Sequence, residues 1–154
     1  MSLNTEPAGA PAEIQLAILL AEDNAVNQTV ALGMLRKLGF HADLAINGTE
    51  AITALRKRAY RVVLMDVQMP ELDGCEATEE LREMLPIADQ PWVIALTANV
   101  SPAARDRCFA AGMDDYIPKP VRLADMKQAL QRAVEALRSR ESRQGKILET
   151  DSIP

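Results

Sequence analysis

The chain has 154 residues, 48% of them hydrophobic and 25% charged, which fits one compact domain with a core of its own. Its formal net charge of −5 comes without any block of Lys and Arg, and this excludes a nucleic-acid or anionic-membrane surface as its basis of function. No apolar run approaches the roughly 18 residues of a membrane span and no signal-peptide pattern opens the chain. Cys75 and Cys108 lack metal-site spacing and read as reduced, partly buried thiols of a cytoplasmic protein.

Residues 1–14 are rich in Pro, Gly and polar side chains and read as a linker or chain end. The folded domain is expected over 15–138. It opens with the apolar run LAILLA (16–21), followed by Val26, Val30, Met34 and Leu38 at a spacing of four, which predicts a helix with that stripe inward. HADLAI (41–46) precedes Ala51, Ile52 and Leu55, and RVVLM (61–65) precedes Ala77, Leu81, Met84 and Leu85. WVIALT (92–97) precedes Ala104, Cys108 and Ala111; DYI (115–117) precedes Met126, Leu130, Val134 and Leu137. Ser101 and Pro102 stand where an N-cap and first helical residue belong, and Gly39 and Gly112 where helices end. Residues 139–154 return to polar composition and read as a linker or unpacked tail.

Strands alternating with helices of this length demand parallel pairing through right-handed crossovers, with helices on both faces of the sheet. The expected fold is therefore a doubly wound α/β sandwich with five parallel strands. In such sheets ligands bind beyond the carboxyl ends of the strands, so the residues ending each strand carry the functional argument.

Those residues are Glu22, Asp23 and Asn24 after the first strand, Asp66 after the third, Thr97, Ala98 and Asn99 at the fourth, and Lys119 past the fifth. Glu22, Asp23 and Asp66 would share one crevice, where each pair at about 4 Å repels by roughly 4 kcal/mol at an effective dielectric near 20. A hard divalent cation with oxygen ligands relieves that repulsion, and Mg²⁺ fits because it takes one or two carboxylates, keeps several waters and accepts a phosphoryl oxygen. Lys119 adds a point charge for an oxyanion and Thr97 a hydroxyl donor. The set predicts a phosphoryl site. Alone, Asp66 would be a helix cap or turn residue; its co-located partners make the functional reading the better one.

These residues resemble a known family, the receiver domain of two-component response regulators, over about 15–138. The acid pair in LLAEDN, the acceptor in LMDVQMPELDG, the strand end ALTAN and the run GMDDYIPKPV occur in order, each at its expected structural place. AEDNAVNQ is most similar to receivers attached to hybrid sensor histidine kinases. The resemblance implies a flavodoxin-like sheet of strand order 2-1-3-4-5. It implies that Asp66 accepts a phosphoryl group from a phosphohistidine of a histidine kinase or histidine phosphotransfer domain. Glu22, Asp23, Asp66 and the main-chain carbonyl of Gln68 would hold Mg²⁺, with Glu22, longer than the Asp often found there, reaching the metal through water. Thr97 and Lys119 would contact the phosphoryl group, Tyr116 would be the switch aromatic, and the Lys119–Pro120 bond would be cis. It also implies self-catalysed phosphorylation and slow dephosphorylation, and admits a homodimer and a place in the cytoplasmic part of a larger membrane-bound sensor kinase. No further cofactor is implied.

Other residues read plainly. His41 opens the second strand on its exposed side, so the donor histidine comes from another chain or domain. Glu71 and Asp73 are expected as solvated loop acids, Met65, Met69 and Met84 as packing, and Arg105 and Arg107 as a solvated helix face. Two alternatives compete with the phosphoacceptor. An aspartate-nucleophile phosphatase of the haloacid dehalogenase type wants an acid two residues after the nucleophile, where Gln68 stands. A degenerate receiver that only docks partners would have lost the acceptor, the metal acids or the lysine, and all are present.

Overall fold

The computed structural model describes residues 16–152, with side chains described to residue 142. Five strands, β1 (Ile18–Ala21), β2 (Ala42–Ala45), β3 (Val62–Asp66), β4 (Trp92–Thr97) and β5 (Asp115–Pro118), alternate with five helices. The helices are α1 (Ala25–Lys37), α2 (Gly48–Lys57), α3 (Gly74–Met84), α4 (Pro102–Ala110) and α5 (Leu123–Ser152), with a short 3₁₀ turn at Ile87–Asp89. The strands lie in the order β2-β1-β3-β4-β5 and every adjacent pair is parallel. This is the expected doubly wound, flavodoxin-like sheet.

The alternation of side chains along each strand divides the core in two. Leu19, Ala21, Val63, Met65, Val93 and Ala95 face α2, α3 and α4 in one buried cluster. Ile18, Leu20, Val62, Leu64, Ile94, Leu96 and Ile117 face α1 and α5 in the other. Because β1, β3 and β4 are covered on both faces, their sequences are continuous apolar runs rather than alternating ones. β2 is an edge strand, and Leu44 and Ile46 at that edge are exposed.

Helix starts follow the polar residues that end the preceding strands. Asn24 caps α1 by accepting from the Asn27 amide at 2.9 Å, Asn47 caps α2, and Ser101 with Pro102 opens α4 as expected. Asp73 caps α3 in a reciprocal box with Glu76 and pairs with Arg107 of α4 at 3.1 Å. Arg107 is exposed as expected, while Asp73 is half-buried and serves as a helix cap rather than a solvated loop acid. Gly39 and Gly112 take positive φ after α1 and α4, the C′ geometry that glycine permits.

Two expectations change. The inward face of α1 is Ala31 and Leu35, while Val26 is 70% and Val30 44% exposed; the spacing-of-four stripe followed the larger side chains, whereas close packing against the sheet admits the small Ala31. The second change concerns α5, which continues past residue 138 to Ser152. Arg140 donates to the Gln90 carbonyl at 2.8 Å and Arg61 pairs with Glu141, so contacts with the body extend beyond 138. Residues 1–14, read as a linker, lie outside the described residues, as do 153 and 154 at the end of the expected tail.

Gly74 begins α3 directly against the end of β3, and a Cβ built there would lie 2.3 Å from the Asp66 carbonyl oxygen. Gly33, by contrast, is exposed inside α1 with nothing within 4 Å of such a Cβ. Gly74→Ala is expected to destabilise the chain by about 1–3 kcal/mol through backbone displacement, and Gly33→Ala to stabilise it by about 0.5–1 kcal/mol. Urea denaturation midpoints of the two variants check the opposite signs.

Candidate functional site

Parallel register carries the site residues to one edge of the sheet. Ala21 pairs with Met65 and Asp66 with Leu96, so Glu22, Asp66 and Thr97 arrive side by side at the carboxyl ends of β1, β3 and β4. Glu22 is 1% and Asp66 2% exposed, while Asp23 is exposed. One carboxylate oxygen from each of the three lies within 4.8 Å of the others. Lys119, just past β5, reaches between them, its Nζ 3.0 Å from Asp66 Oδ1 and 3.2 Å from Glu22 Oε1. The Lys119 amide donates to the Thr97 carbonyl at 2.8 Å, and the Lys119–Pro120 bond is cis.

The loop around Glu22 is tied down on both sides. The Asn24 amide donates to Glu22 Oε2 at 3.1 Å, and Gln28 Nε2 donates to the Glu22 carbonyl at 2.8 Å. Gln28 therefore supports the loop from one turn inside α1, a role the motif AEDNAVNQ contains but spacing alone does not reveal. The Gln68 amide donates to Asp66 Oδ1 at 3.2 Å, which brings Gln68 to Asp66 through its backbone.

Electrostatics follow from burial. Loss of water pushes the Asp66 carboxyl up to about 7, and the Glu22 carboxylate beside it adds to the rise, while Lys119 acts in the opposite direction. Burial works to lower the Lys119 ammonium, but its bonds to Asp66 and Glu22 outweigh this and hold it above its usual value. With Asp66 ionised, the two buried acids outnumber the one lysine between them. The three acids there offer carboxylate oxygens, which suit a hard divalent cation and not a soft one.

Thr97 and Tyr116 sit further along the same edge. Thr97 Oγ1 donates to the Asn99 carbonyl at 3.1 Å and accepts from the Asn99 amide at 3.0 Å, so its hydroxyl is engaged by the β4–α4 loop. Tyr116 meets the edge of Phe109 at 6.5 Å between ring centroids. Arg105, expected as a solvated residue, lies over the Tyr116 ring at 4.7 Å. No periodicity connects positions 105 and 116; only the turn between α4 and β5 brings them together.

Residues 18–131 match the response regulator receiver domain family, and the chain belongs to that family, a receiver domain of two-component signalling. It is 38% identical over 160 residues to probable histidine kinase 1 of Oryza sativa subsp. indica, an alignment covering 84% of this chain and 16% of that protein. It is 42% identical over 113 residues to the hybrid signal transduction protein dokA of Dictyostelium discoideum, covering 73% and 7%. The chain thus spans a small part of these curated relatives. Among solved structures it is similar to the receiver domain of sensor histidine kinase PA1611 from Pseudomonas aeruginosa, which holds a magnesium ion in its active-site cleft. That match has 41% identity and a TM-score of 0.72, over 79% of this chain and 98% of that one. It is also similar to a structure from Saccharomyces cerevisiae that pairs the phosphotransfer protein Ypd1 with the receiver domain of Ssk1, at 30% identity and a TM-score of 0.69, over 75% and 86%. No helix of the described residues is long and apolar enough to cross a membrane.

The raised Asp66 carboxyl gives a pH test. The folded chain keeps this proton up to about pH 7, whereas the unfolded chain releases it near the ordinary 3.8, so the folded state binds more protons in that window and its stability falls as pH rises through it. In a chelator, the wild type should lose stability between pH 5 and 8 relative to Asp66→Asn. Denaturant midpoints across that range check it, and parallel pH profiles for the two chains would contradict it.

Proposed function

We propose that Asp66 is the phosphoacceptor of a phosphorelay, taking a phosphoryl group from a phosphohistidine on a histidine kinase or histidine phosphotransfer domain in a Mg²⁺-dependent reaction. One observation carries the reading: a buried carboxylate at a strand end, grouped with two further acids and bonded to a lysine. An Asp66 oxygen attacks phosphorus in line with the departing imidazole nitrogen; the P–N bond breaks as the acyl phosphate forms, and the imidazole takes up its proton from water. This needs placement and charge neutralisation and no general base. Glu22, Asp23, Asp66 and the Gln68 carbonyl would hold Mg²⁺, which when bound supplies positive charge for the incoming phosphoryl oxygens. Lys119 then turns from the Asp66 carboxylate to a phosphoryl oxygen. Its charge is retained throughout.

The exposed Val26 and Val30 of α1 stand on the donor side. Val30 lines a small groove of about 140 Å³ together with Glu22, Lys119 and Pro120, so an apolar rim borders the acids and supports docking of a partner domain. The similar yeast receiver in complex with a phosphotransfer protein favours the same kind of partner. The likeness to histidine kinases favours this chain as one module of a hybrid kinase in the cytoplasm.

Thr97 would supply the switch. A phosphoryl group on Asp66 adds acceptor oxygens beside β4, and the Thr97 hydroxyl, leaving Asn99, donates to one of them. That frees space beside Tyr116, whose ring exchanges its packing on Arg105 and Phe109 for the gap. Two packings of similar free energy biased by one local charge are what such a response requires.

Acetyl phosphate labelling followed by intact mass tests the reading. The wild type should gain one phosphoryl group with Mg²⁺ and none in excess chelator, Asp66→Asn should gain none, and Thr97→Ala should still be labelled while its amide shifts at Tyr116 and residues 101–126 shrink. Stoichiometric labelling of Asp66→Asn, or an undiminished rate in chelator, would overturn it.

A further inference from the structure

Beside the acid cluster, on the α3 and α4 side of the sheet, lies an open cavity of about 770 Å³ lined by Met69, Asp73, Cys75, Thr97, Arg107 and Cys108 among others. The phosphoryl chemistry uses neither cysteine. Both are buried free thiols, both belong to the same core cluster, and both line this one cavity. Cys75 belongs to the first turn of α3, immediately after the Gly74 that packs on the Asp66 carbonyl. Of the nine residues of α4, all described, Cys108 alone is buried, so it is the residue by which α4 enters the core cluster that holds Cys75 of α3.

We propose that Cys75 and Cys108 are a dithiol modification site, which a small-molecule disulfide reaching the cavity converts into an intramolecular disulfide between α3 and α4. The step balances as two exchanges. Cys108, as thiolate, attacks one sulfur of the oxidant, whose S–S bond breaks and releases one reduced thiol. Cys75 then gives up its proton and attacks the Cys108 sulfur, forming the new S–S bond and releasing the second thiol. Two electrons pass from the cysteine pair to the oxidant, and the two cysteine protons finish on the released thiols.

Burial pushes the Cys75 thiol up to about 12, with Cys108 adding to the rise, while Arg107 works in the opposite direction. Arg107 is already held there by its pairing with Asp73. Cross-linking the one buried residue of α4 fixes that helix to α3. Resting on the receiver reading above, the oxidised chain would still accept a phosphoryl group on Asp66 but transmit less of it to Tyr116, because the loop holding Thr97 and Asn99 leads directly into α4.

The test is to incubate the full chain with bis(2-hydroxyethyl) disulfide and follow free thiols and intact mass. The expected result is loss of both thiols and a mass lower by two hydrogens, with peptide mapping joining Cys75 to Cys108 and no retained reagent. Cys75→Ser and Cys108→Ser should each fail to lose that mass. Thiols that remain unreacted in the native chain yet react in urea would overturn the proposal, as would a stable adduct on a single cysteine or a disulfide between chains. Acetyl phosphate labelling of the reduced chain tests the receiver reading separately, since thiol loss does not depend on it.

Discussion

Glu22 and Asp66 are carboxylates on neighbouring strands, both withdrawn from water, and Lys119 reaches between them from a third strand. At an effective dielectric near 20, two such charges about 4 Å apart repel by roughly 4 kcal/mol, a sizeable part of the 5–15 kcal/mol by which a domain of this kind is stable. The chain tolerates this because the lysine bonds to both acids and because the Asp66 carboxyl is pushed up until it shares the burden as a proton. Neither remedy is complete, and the acid cluster that remains could hold a divalent cation.

The rest of the molecule serves this arrangement. Parallel pairing with strand order 2-1-3-4-5 sets the carboxyl ends of β1, β3 and β4 beside one another, and the buried apolar runs behind them fix the register. The caps at Asn24, Asp73 and Ser101 begin helices where the site loops end. Gly74 lets α3 start against the Asp66 backbone, where any side chain would collide. On the far side, α4 is weakly buried and meets the body at Cys108, its carboxyl end leading to Gly112, whose carbonyl accepts from the Arg82 guanidinium at 2.9 and 2.7 Å. The same helix carries Arg107, which pairs with Asp73, and Arg105, which covers Tyr116.

Much of this was legible in the sequence, for physical reasons. Strands buried on both faces must be apolar throughout, so LAILLA, RVVLM and WVIALT announced themselves, and a carboxylate directly after such a run has to be explained by what it binds. Short loops brought Glu22, Asp66, Thr97 and Lys119 to one edge as soon as the strands were parallel. Other features depended on packing that no local pattern encodes. The inward face of α1 is set by Ala31 and Leu35, because the helix approaches the sheet closely enough to prefer a small side chain over Val26 or Val30. Asp73 with Arg107, Arg105 with Tyr116 and Cys75 with Cys108 each join α4 or its neighbourhood to a segment distant in the chain, and their meeting follows from how α4 is seated. Polar composition suggested an unpacked end after 138, yet Arg140 and Glu141 find partners at Gln90 and Arg61.

The central claim is that the site is an electrostatic balance in which Lys119 stands in for the charge that a divalent cation supplies. Calorimetric titration of Mg²⁺ into Lys119→Met tests it most directly. Removing the lysine leaves Glu22, Asp23 and Asp66 with less positive charge to share, so the account predicts tighter Mg²⁺ binding than in the wild type, on the order of tenfold or about 1.4 kcal/mol. Affinity that is unchanged or weaker in the variant would contradict it.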